Sequence, residues 1–123
     1  MPSYGPTSRS FVNGTGNIQV PIKPGYSFAL LYIRCHFRRL SGSGTDVANM
    51  TIDLDSFRGD DFDVRMLTLT SVGVAADVNL RVVEEIDHWT FDNDDCLTVN
   101  WTNPEIGGEI AWGLEVGIRP CLP

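Results

Sequence analysis

The feature that most constrains this chain is a strict alternation of residue types near its C-terminal end. Over residues 110–119, every second residue is a large apolar one, and the residues between them are small or charged. A period of two matches a β-strand, whose successive side chains point to opposite faces, and does not match the 3.6-residue period of an α-helix. The segment therefore predicts a strand with one buried face, which carries Ile110, Trp112, Leu114, Val116 and Ile118.

Strand-like segments recur along most of the chain, and none follows a helical period for more than two turns. Turn residues such as Pro24-Gly25 separate them, and they lie at 18–22, 27–40, 50–54, 64–71, 78–82 and 97–101. About seven strands at this spacing predict an all-β fold, an antiparallel β-sandwich or barrel. A jelly-roll-like sandwich is the favoured topology. An immunoglobulin-like sandwich is the alternative, although the chain lacks that fold's Cys…Trp…Cys framework.

The length of 123 residues predicts one domain with a core large enough to need no disulfide or metal. Residues 1–16 are mostly Gly, Ser, Pro, Thr and Asn. Such a composition buries too little apolar surface to offset the entropy of ordering the chain. We therefore predict a flexible N-terminal arm over residues 1–16 and a single β-sandwich domain over residues 17–123.

The formal net charge of −7 is unevenly distributed along the chain. Residues 1–45 carry five basic side chains and no acidic one, whereas residues 46–123 carry four basic side chains and all 16 acidic ones. The acidic total argues against a general nucleic-acid-binding protein, whose affinity comes from neutralising phosphates. The asymmetry instead predicts a partner surface at the basic end of the chain.

The longest apolar segment, residues 27–40, leads into a basic cluster. Both of its faces are apolar at the start, which predicts a central strand buried on both sides. At its end, Arg34, His36 and Arg38 share one face, and Arg39 lies on the other. The strand is therefore expected to emerge at this point into solvent or onto a partner.

Arg9 and Phe11 of the arm complete the set of predicted partner contacts. Arginine outnumbers lysine eight to one in the chain, and arginine is the basic residue best suited to interface ion pairs. This favours docking of the basic segment on an acidic partner surface. The alternative is a solvated strand end whose charges discourage edge-to-edge pairing.

Five of the eleven residues at 53–63 are aspartates, and clustered carboxylates are the ligands that Ca²⁺ prefers. An EF-hand would need glycine at the sixth position and glutamate at the twelfth. Counted from Asp53, glycine stands seventh and Val64 twelfth, so that pattern fails. A solvated turn is the preferred interpretation, and a looser Ca²⁺ site stays open as the alternative. Its candidate ligands are Asp60, Asp61 and Asp63.

Catalysis requires convergent groups, and the chain offers few. It has two histidines, His36 and His88, and no GxSxG nucleophile elbow. Its three cysteines form no CxxC pair, so neither a zinc ribbon nor a thioredoxin-type site is indicated. We therefore expect a non-enzymatic protein without a cofactor or a bound metal. The sequence shows neither a signal peptide nor an apolar segment of membrane-spanning length, so no membrane partner is expected.

Four segments beyond residue 50 are similar to those of known virion proteins: TIDLDS at 51–56, DVNLR at 77–81, DDCLTVNWTNP at 94–104 and WGLEV at 112–116. The chain thereby resembles the virion structural proteins of tailed bacteriophages, and in particular their small β-sandwich decoration, or cement, proteins. The resemblance implies a compact all-β domain without catalytic machinery. Proteins of this kind bind an assembled capsid, often as trimers, and stabilise it.

Combined with the charge distribution, the resemblance implies a partner and an orientation. The major capsid protein or another virion protein would be the partner, and the chain would form a homo-oligomer, with a trimer favoured, on the virion surface after synthesis in the host cytoplasm. The basic segment would contact the shell while the acidic loops face solvent. The alternative is a receptor-binding or fibre-associated module at a tail or vertex, with the loop at Arg58-Gly59-Asp60 as its contact.

Overall fold

The structure, a computed structural model, describes residues 3–4, 8–41, 45–75, 80–104 and 110–122, and for 3–4, 45, 71–75, 80–89 and 122 it describes the backbone alone. These residues form nine strands and one turn of 3-10 helix at Asp60–Phe62. The strands are β1 (Ser3–Tyr4), β2 (Ser8–Gly14), β3 (Ile18–Ile22), β4 (Phe28–Arg39), β5 (Thr45–Asp55), β6 (Val64–Ala75), β7 (Leu80–Phe91), β8 (Cys96–Trp101) and β9 (Ile110–Leu122).

The strands form two antiparallel sheets that enclose one core. The first sheet has the order β2–β9–β4–β7, with β1 beside the end of β9, and the second has the order β3–β8–β5–β6. The pairs are nested along the chain, because β5 pairs with β6, β4 with β7, β3 with β8 and β2 with β9. A nested ribbon of this kind, folded over into two four-stranded sheets, is a jelly roll. The predicted all-β antiparallel sandwich is confirmed, and its strand order is that of a jelly roll.

Part of the segment predicted as a flexible arm is a strand. β2 pairs with residues 112–118 of β9, and β1 pairs with Cys121 and Leu122. The side chains of β2 are almost all exposed, so burial left no signal in its composition. The backbone N–H and C=O groups along one side of β2 pair with β9 instead. Over residues 8–14, the structure therefore has an edge strand where composition predicts an unpaired arm.

The core lies between the two sheets and consists of the inward-facing residues of the strands. All five apolar residues of the alternating face of β9 are buried, as predicted. Phe37 of β4 meets Trp101 of β8 between the sheets, with their ring centroids 4.8 Å apart. An aromatic pair at this distance contributes about 0.5–1.5 kcal/mol beyond the burial of its area. The centre of the sandwich is therefore held by contacts that cross from one sheet to the other.

β4 is a central strand of its sheet, as its apolar start predicts. The set of alternate residues that faces the core changes partway along the strand. A β-bulge between Leu30 and Tyr32 shifts the register with both neighbouring strands. Leu30 is buried in the core before the bulge, and Ile33 and Phe37 are buried there after it. An extra residue at a bulge re-aims the side chains that follow. Tyr32 and the basic residues after it therefore lie on the outer face of the sheet.

Hydrogen bonds fix the turn between β2 and β3 against the sandwich. The backbone N–H of buried Asn103 donates to the side-chain oxygen of Asn17 over 2.8 Å, and its side-chain amide donates to the carbonyl of Thr15 over 3.1 Å. The indole N–H of Trp112 donates to the carbonyl of Gly16 over 2.8 Å. Because a buried polar group is costly without a partner, these bonds help to hold β2 in place beside β9.

Candidate partner-binding face

Facing residues of β2, β9 and β4 form three rows across the outer face of the first sheet. The rows are Arg9–Gly117–Tyr32, Phe11–Glu115–Arg34 and Asn13–Gly113–His36. Directly opposite residues of antiparallel strands point to the same side of a sheet, and Arg38 follows His36 at the spacing of two. Five of the six residues predicted as partner contacts therefore share one face. We call these five the basic face: Arg9, Phe11, Arg34, His36 and Arg38.

The basic face is open to solvent. Phe11 is 71% exposed, and Arg9, His36 and Arg38 are also exposed. A large aromatic side chain that stands in water among arginines has a composition typical of protein interfaces, in which aromatic residues and arginine are enriched. The pairing of β2 with β9 brings Arg9 and Phe11 beside the residues of β4, so the face is assembled from strands far apart in sequence.

Tyr32, Arg34 and Glu115 form a compact cluster in the middle of this face. The Arg34 guanidinium lies 4.2 Å from the centroid of the Tyr32 ring and 3.5 Å from a carboxylate oxygen of Glu115. The Tyr32 hydroxyl donates a hydrogen bond to the same carboxylate. The missing side chain of Gly117 leaves the space that the Tyr32 ring fills. Burial, and then the hydrogen bond to Glu115, raise the pKa of Tyr32.

The charges of the face are incompletely balanced by the side chains that the structure describes. Among the described side chains on it, Glu115 is the only carboxylate, and it is already engaged by Tyr32 and Arg34. No ion pair joins Arg9 or Arg38 to another described residue. Two arginines therefore present their charge outward, which favours an acidic surface as the counterpart.

A shallow groove crosses the basic face above Gly113. One depression of about 580 Å³ lies between β2 and β4 there, and a second of about 490 Å³ adjoins it toward Arg38. A Cβ added at Gly113 would have no atom within 4 Å beyond its chain neighbours, so the groove is open at this point. Its rims carry Phe11 and Asn13 on one side and His36 on the other. The face can therefore accept a protruding side chain or segment as well as a flat surface.

Arg39, the sixth predicted contact residue, lies apart from the other five. Alternation along β4 directs it to the opposite side, and its side chain is only 6% exposed. Its guanidinium forms an ion pair of 2.7 Å with Asp46 at the start of β5. This contact joins the first sheet to the second, so the structure gives Arg39 an intramolecular partner.

Acidic loops gather at one end of the sandwich. The backbone N–H of Phe57 donates to Asp95 over 3.2 Å, and Arg58 forms an ion pair of 2.7 Å with Asp92, which together join the β5–β6 loop to the β7–β8 turn. Asp95 is buried and also accepts the backbone N–H of Asp92 over 3.0 Å. We call this end the acidic end, and its carboxylates are those of Asp55, Asp60, Asp61, Asp63, Asp92, Asp94 and Asp95. Seven of the 16 acidic residues of the chain therefore gather at this end of the sandwich.

The three aspartates weighed as Ca²⁺ ligands do not converge. Asp60 and Asp61 are exposed in the 3-10 turn, while a carboxylate oxygen of Asp63 accepts the backbone N–H of Ser56 over 2.8 Å. Across the residues that the structure describes, no group of three or more His, Cys, Asp or Glu side chains is arranged to hold a metal ion. In the tripeptide at residues 58–60, the Arg58 side chain is held by Asp92.

A polar network on the outer face of the second sheet was not anticipated from sequence. Asp53 accepts hydrogen bonds from Thr51 over 3.0 Å, from Asn100 over 2.8 Å and from Arg65 over 2.8 Å. Burial alone would raise the pKa of Asp53, but these three hydrogen bonds together hold it below its ordinary value. The period of two places Thr51 and Asp53 on one face, whereas the contact with Asn100 depends on the pairing of β5 with β8.

The histidines and the buried cysteine, the remaining candidates for catalysis, form no second site among the described side chains. His36 belongs to the basic face, and the side chain of His88 lies outside the described residues. The Cys35 thiol is buried in the core, which raises its pKa to about 12 and leaves it unreactive at neutral pH. Within the described ranges, no helix has the length and apolar character needed to cross a membrane.

No family model matches the sequence, and a search of curated proteins also finds no match. The similarity of residues 51–56, 77–81, 94–104 and 112–116 to phage decoration proteins therefore stays a prediction.

Proposed function

We propose that the protein is a non-enzymatic virion structural protein that binds an assembled capsid through its basic face and stabilises it, as a decoration protein does. One observation carries the proposal: five residues predicted as contacts from sequence, Arg9, Phe11, Arg34, His36 and Arg38, lie together on one open face. A docking site needs its contact residues on one surface, and here the fold brings residues from two distant segments of the chain together.

The chemistry of this face specifies the partner surface. Arg9 and Arg38 keep outward charge, so the partner presents carboxylates there, on the major capsid protein or another virion protein. Phe11, at 71% exposed, supplies the apolar anchor that most interfaces have near their centre. Attachment of this kind strengthens at low salt, because the outward charges act through solvent.

The acidic end sets the orientation on the shell. Its exposed carboxylates, such as those of Asp60 and Asp61, repel an acidic partner surface, so this end faces solvent while the basic face is turned to the shell. Each contact is modest in area, but many copies on one particle bind adjacent subunits and hold them together. Stabilisation of the shell then comes from repetition of the contact and requires no catalytic group.

The test is rebinding of purified protein to particles of the encoding phage that have been stripped of it. The double variant Arg9→Gln/Arg38→Gln removes two exposed charges from the basic face. At about 0.7 kcal/mol for each charge, binding weakens about tenfold. The matched control, Arg58→Gln/Arg65→Gln, removes two exposed charges elsewhere and leaves binding unchanged.

Equal weakening by both double variants would mean that only net charge matters and would contradict a role for this face. Unchanged binding of the basic-face variant would contradict it as well. Attachment of only a few copies at a tail or vertex, together with binding to host cells, would favour the receptor-binding alternative.

A further inference from the structure

We propose that the protein pairs with a second copy of itself through β2, so that the first sheets of the two copies join edge to edge into one continuous sheet. The proposal concerns the isolated protein and does not depend on a virion role. It rests on three properties of the described residues: an unprotected edge, a self-complementary strand and an open apolar cavity beside them.

The outer edge of β2 lacks the features that usually prevent strand pairing. β2 pairs with β9 on one side, and in the described chain no strand pairs with its other side. Natural edge strands are protected by proline, lysine, acidic residues or bulges. β3, the neighbouring edge of the second sheet, contains Pro21 and is followed by Lys23. β2 has Arg9 as its single charge, and its register with β9 is unbroken over seven residues.

The sequence of β2 is complementary to itself in the antiparallel orientation. A two-fold axis through Phe11 and perpendicular to the sheet pairs all seven residues of β2 with those of the second copy. The outer faces of the two first sheets then lie on the same side. The pairs are Phe11 with Phe11, Ser10 with Val12, Arg9 with Asn13 and Ser8 with Gly14. No like charges face each other, and the two exposed phenylalanines form a cross-strand aromatic pair.

An apolar cavity beside β2 fits the second copy. The sandwich is open between β2 and β3, where a cavity of about 240 Å³ is lined by residues that include Ser10, Val12, Ile22 and Val116. Val12 stands at this opening and is 40% exposed. In the proposed pairing, Val12 of the second copy lies opposite Ser10 and covers the opening. A second β2 would therefore both pair with the free edge and cover the cavity beside it.

The pairing sets the geometry of the dimer. Because the axis is perpendicular to the sheet, the two basic faces lie side by side on the same surface of an eight-stranded sheet. The arrangement is a two-fold dimer, and it differs from the trimer implied by the resemblance to decoration proteins.

The experiment measures the mass of the purified protein in solution over a wide range of concentration. The wild type is expected at twice its 13.6 kDa at high concentration and as a monomer on dilution. Phe11→Lys and Phe11→Glu each place identical charges opposite each other at the axis, and each alone weakens association by about tenfold or more. An equimolar mixture of the two restores a dimer, because lysine then faces glutamate.

A matched control and a folding control accompany these variants. Gln19→Lys places the same charge on the exposed edge strand β3 and leaves the dimer intact. Circular dichroism of each variant confirms that the sandwich is folded. A wild-type monomer at every concentration, a trimer, or a Lys and Glu mixture that stays monomeric would each overturn the proposal.

Discussion

Replacement of Gly117 by alanine tests the packing at the centre of the basic face. The new Cβ would lie 2.5 Å from Cζ and 2.7 Å from Cδ1 of the Tyr32 ring, closer than carbon atoms approach in folded proteins. The ring must therefore move, and its hydrogen bond to Glu115 and its contact with Arg34 are lost with it. Gly113→Ala is the matched control, because it lies on the same strand and face but has open space around its Cβ.

The magnitude follows from two opposing effects. Overpacking and the loss of the Tyr32 contacts cost about 1–3 kcal/mol of the free energy of unfolding. Alanine in place of glycine restricts the unfolded chain, which stabilises by about 0.4–1 kcal/mol. We expect Gly117→Ala to destabilise by about 1–2 kcal/mol net, while Gly113→Ala is neutral or slightly stabilising.

The assay is urea denaturation of both variants in the wild-type and Tyr32→Ala backgrounds. If the clash with the ring is the cause, Gly117→Ala costs nothing further once Tyr32 is truncated, and the double-mutant cycle shows a coupling of about 1 kcal/mol or more. Absorbance titration of the tyrosines gives a second readout, because the variant loses the burial and hydrogen bond that raise the pKa of Tyr32. Equal stability of the two alanine variants would mean that the Tyr32 ring does not fill the space beside Gly117.

Three further outcomes are expected. Phe37→Ala, in the core, lowers the free energy of unfolding by about 3–5 kcal/mol in urea, whereas exposed Phe62→Ala changes it little. Cys35 resists thiol reagents at neutral pH until the protein unfolds, as mass spectrometry of labelled protein would show. The folded-state pKa of Asp53 lies below its unfolded value, so the stability difference between wild type and Asp53→Asn is largest above about pH 4 and shrinks as pH falls.

The alternation of apolar residues predicted the fold because every second residue of a half-buried strand faces the core and is apolar. β9 shows this best, since each of its alternate residues from Ile110 to Ile118 is buried. β2 left no such trace, because its side chains are exposed and only its backbone is paired. The sequence did not predict the bulge between Leu30 and Tyr32 either, since an extra residue hardly alters the composition of a strand.

The basic face was predictable only in part, for a similar reason. Alternation grouped Arg34, His36 and Arg38 and set Arg39 apart, and both expectations agree with the structure. The contact between Tyr32 and Glu115 joins residues 83 positions apart, so it depends on the register of β4 with β9. Pairing partners and registers are set by the whole fold, and local sequence patterns do not specify them.

The most direct test of the proposed attachment is a density map of the intact particle that contains this protein. We predict many copies on the capsid surface, each with the sheet of β2, β9, β4 and β7 turned toward the shell and Phe11 in the contact. The acidic end, with Asp60 and Asp61, would point into solvent. Copies that contact the shell through the second sheet, or absence of the protein from the capsid, would contradict attachment through the basic face.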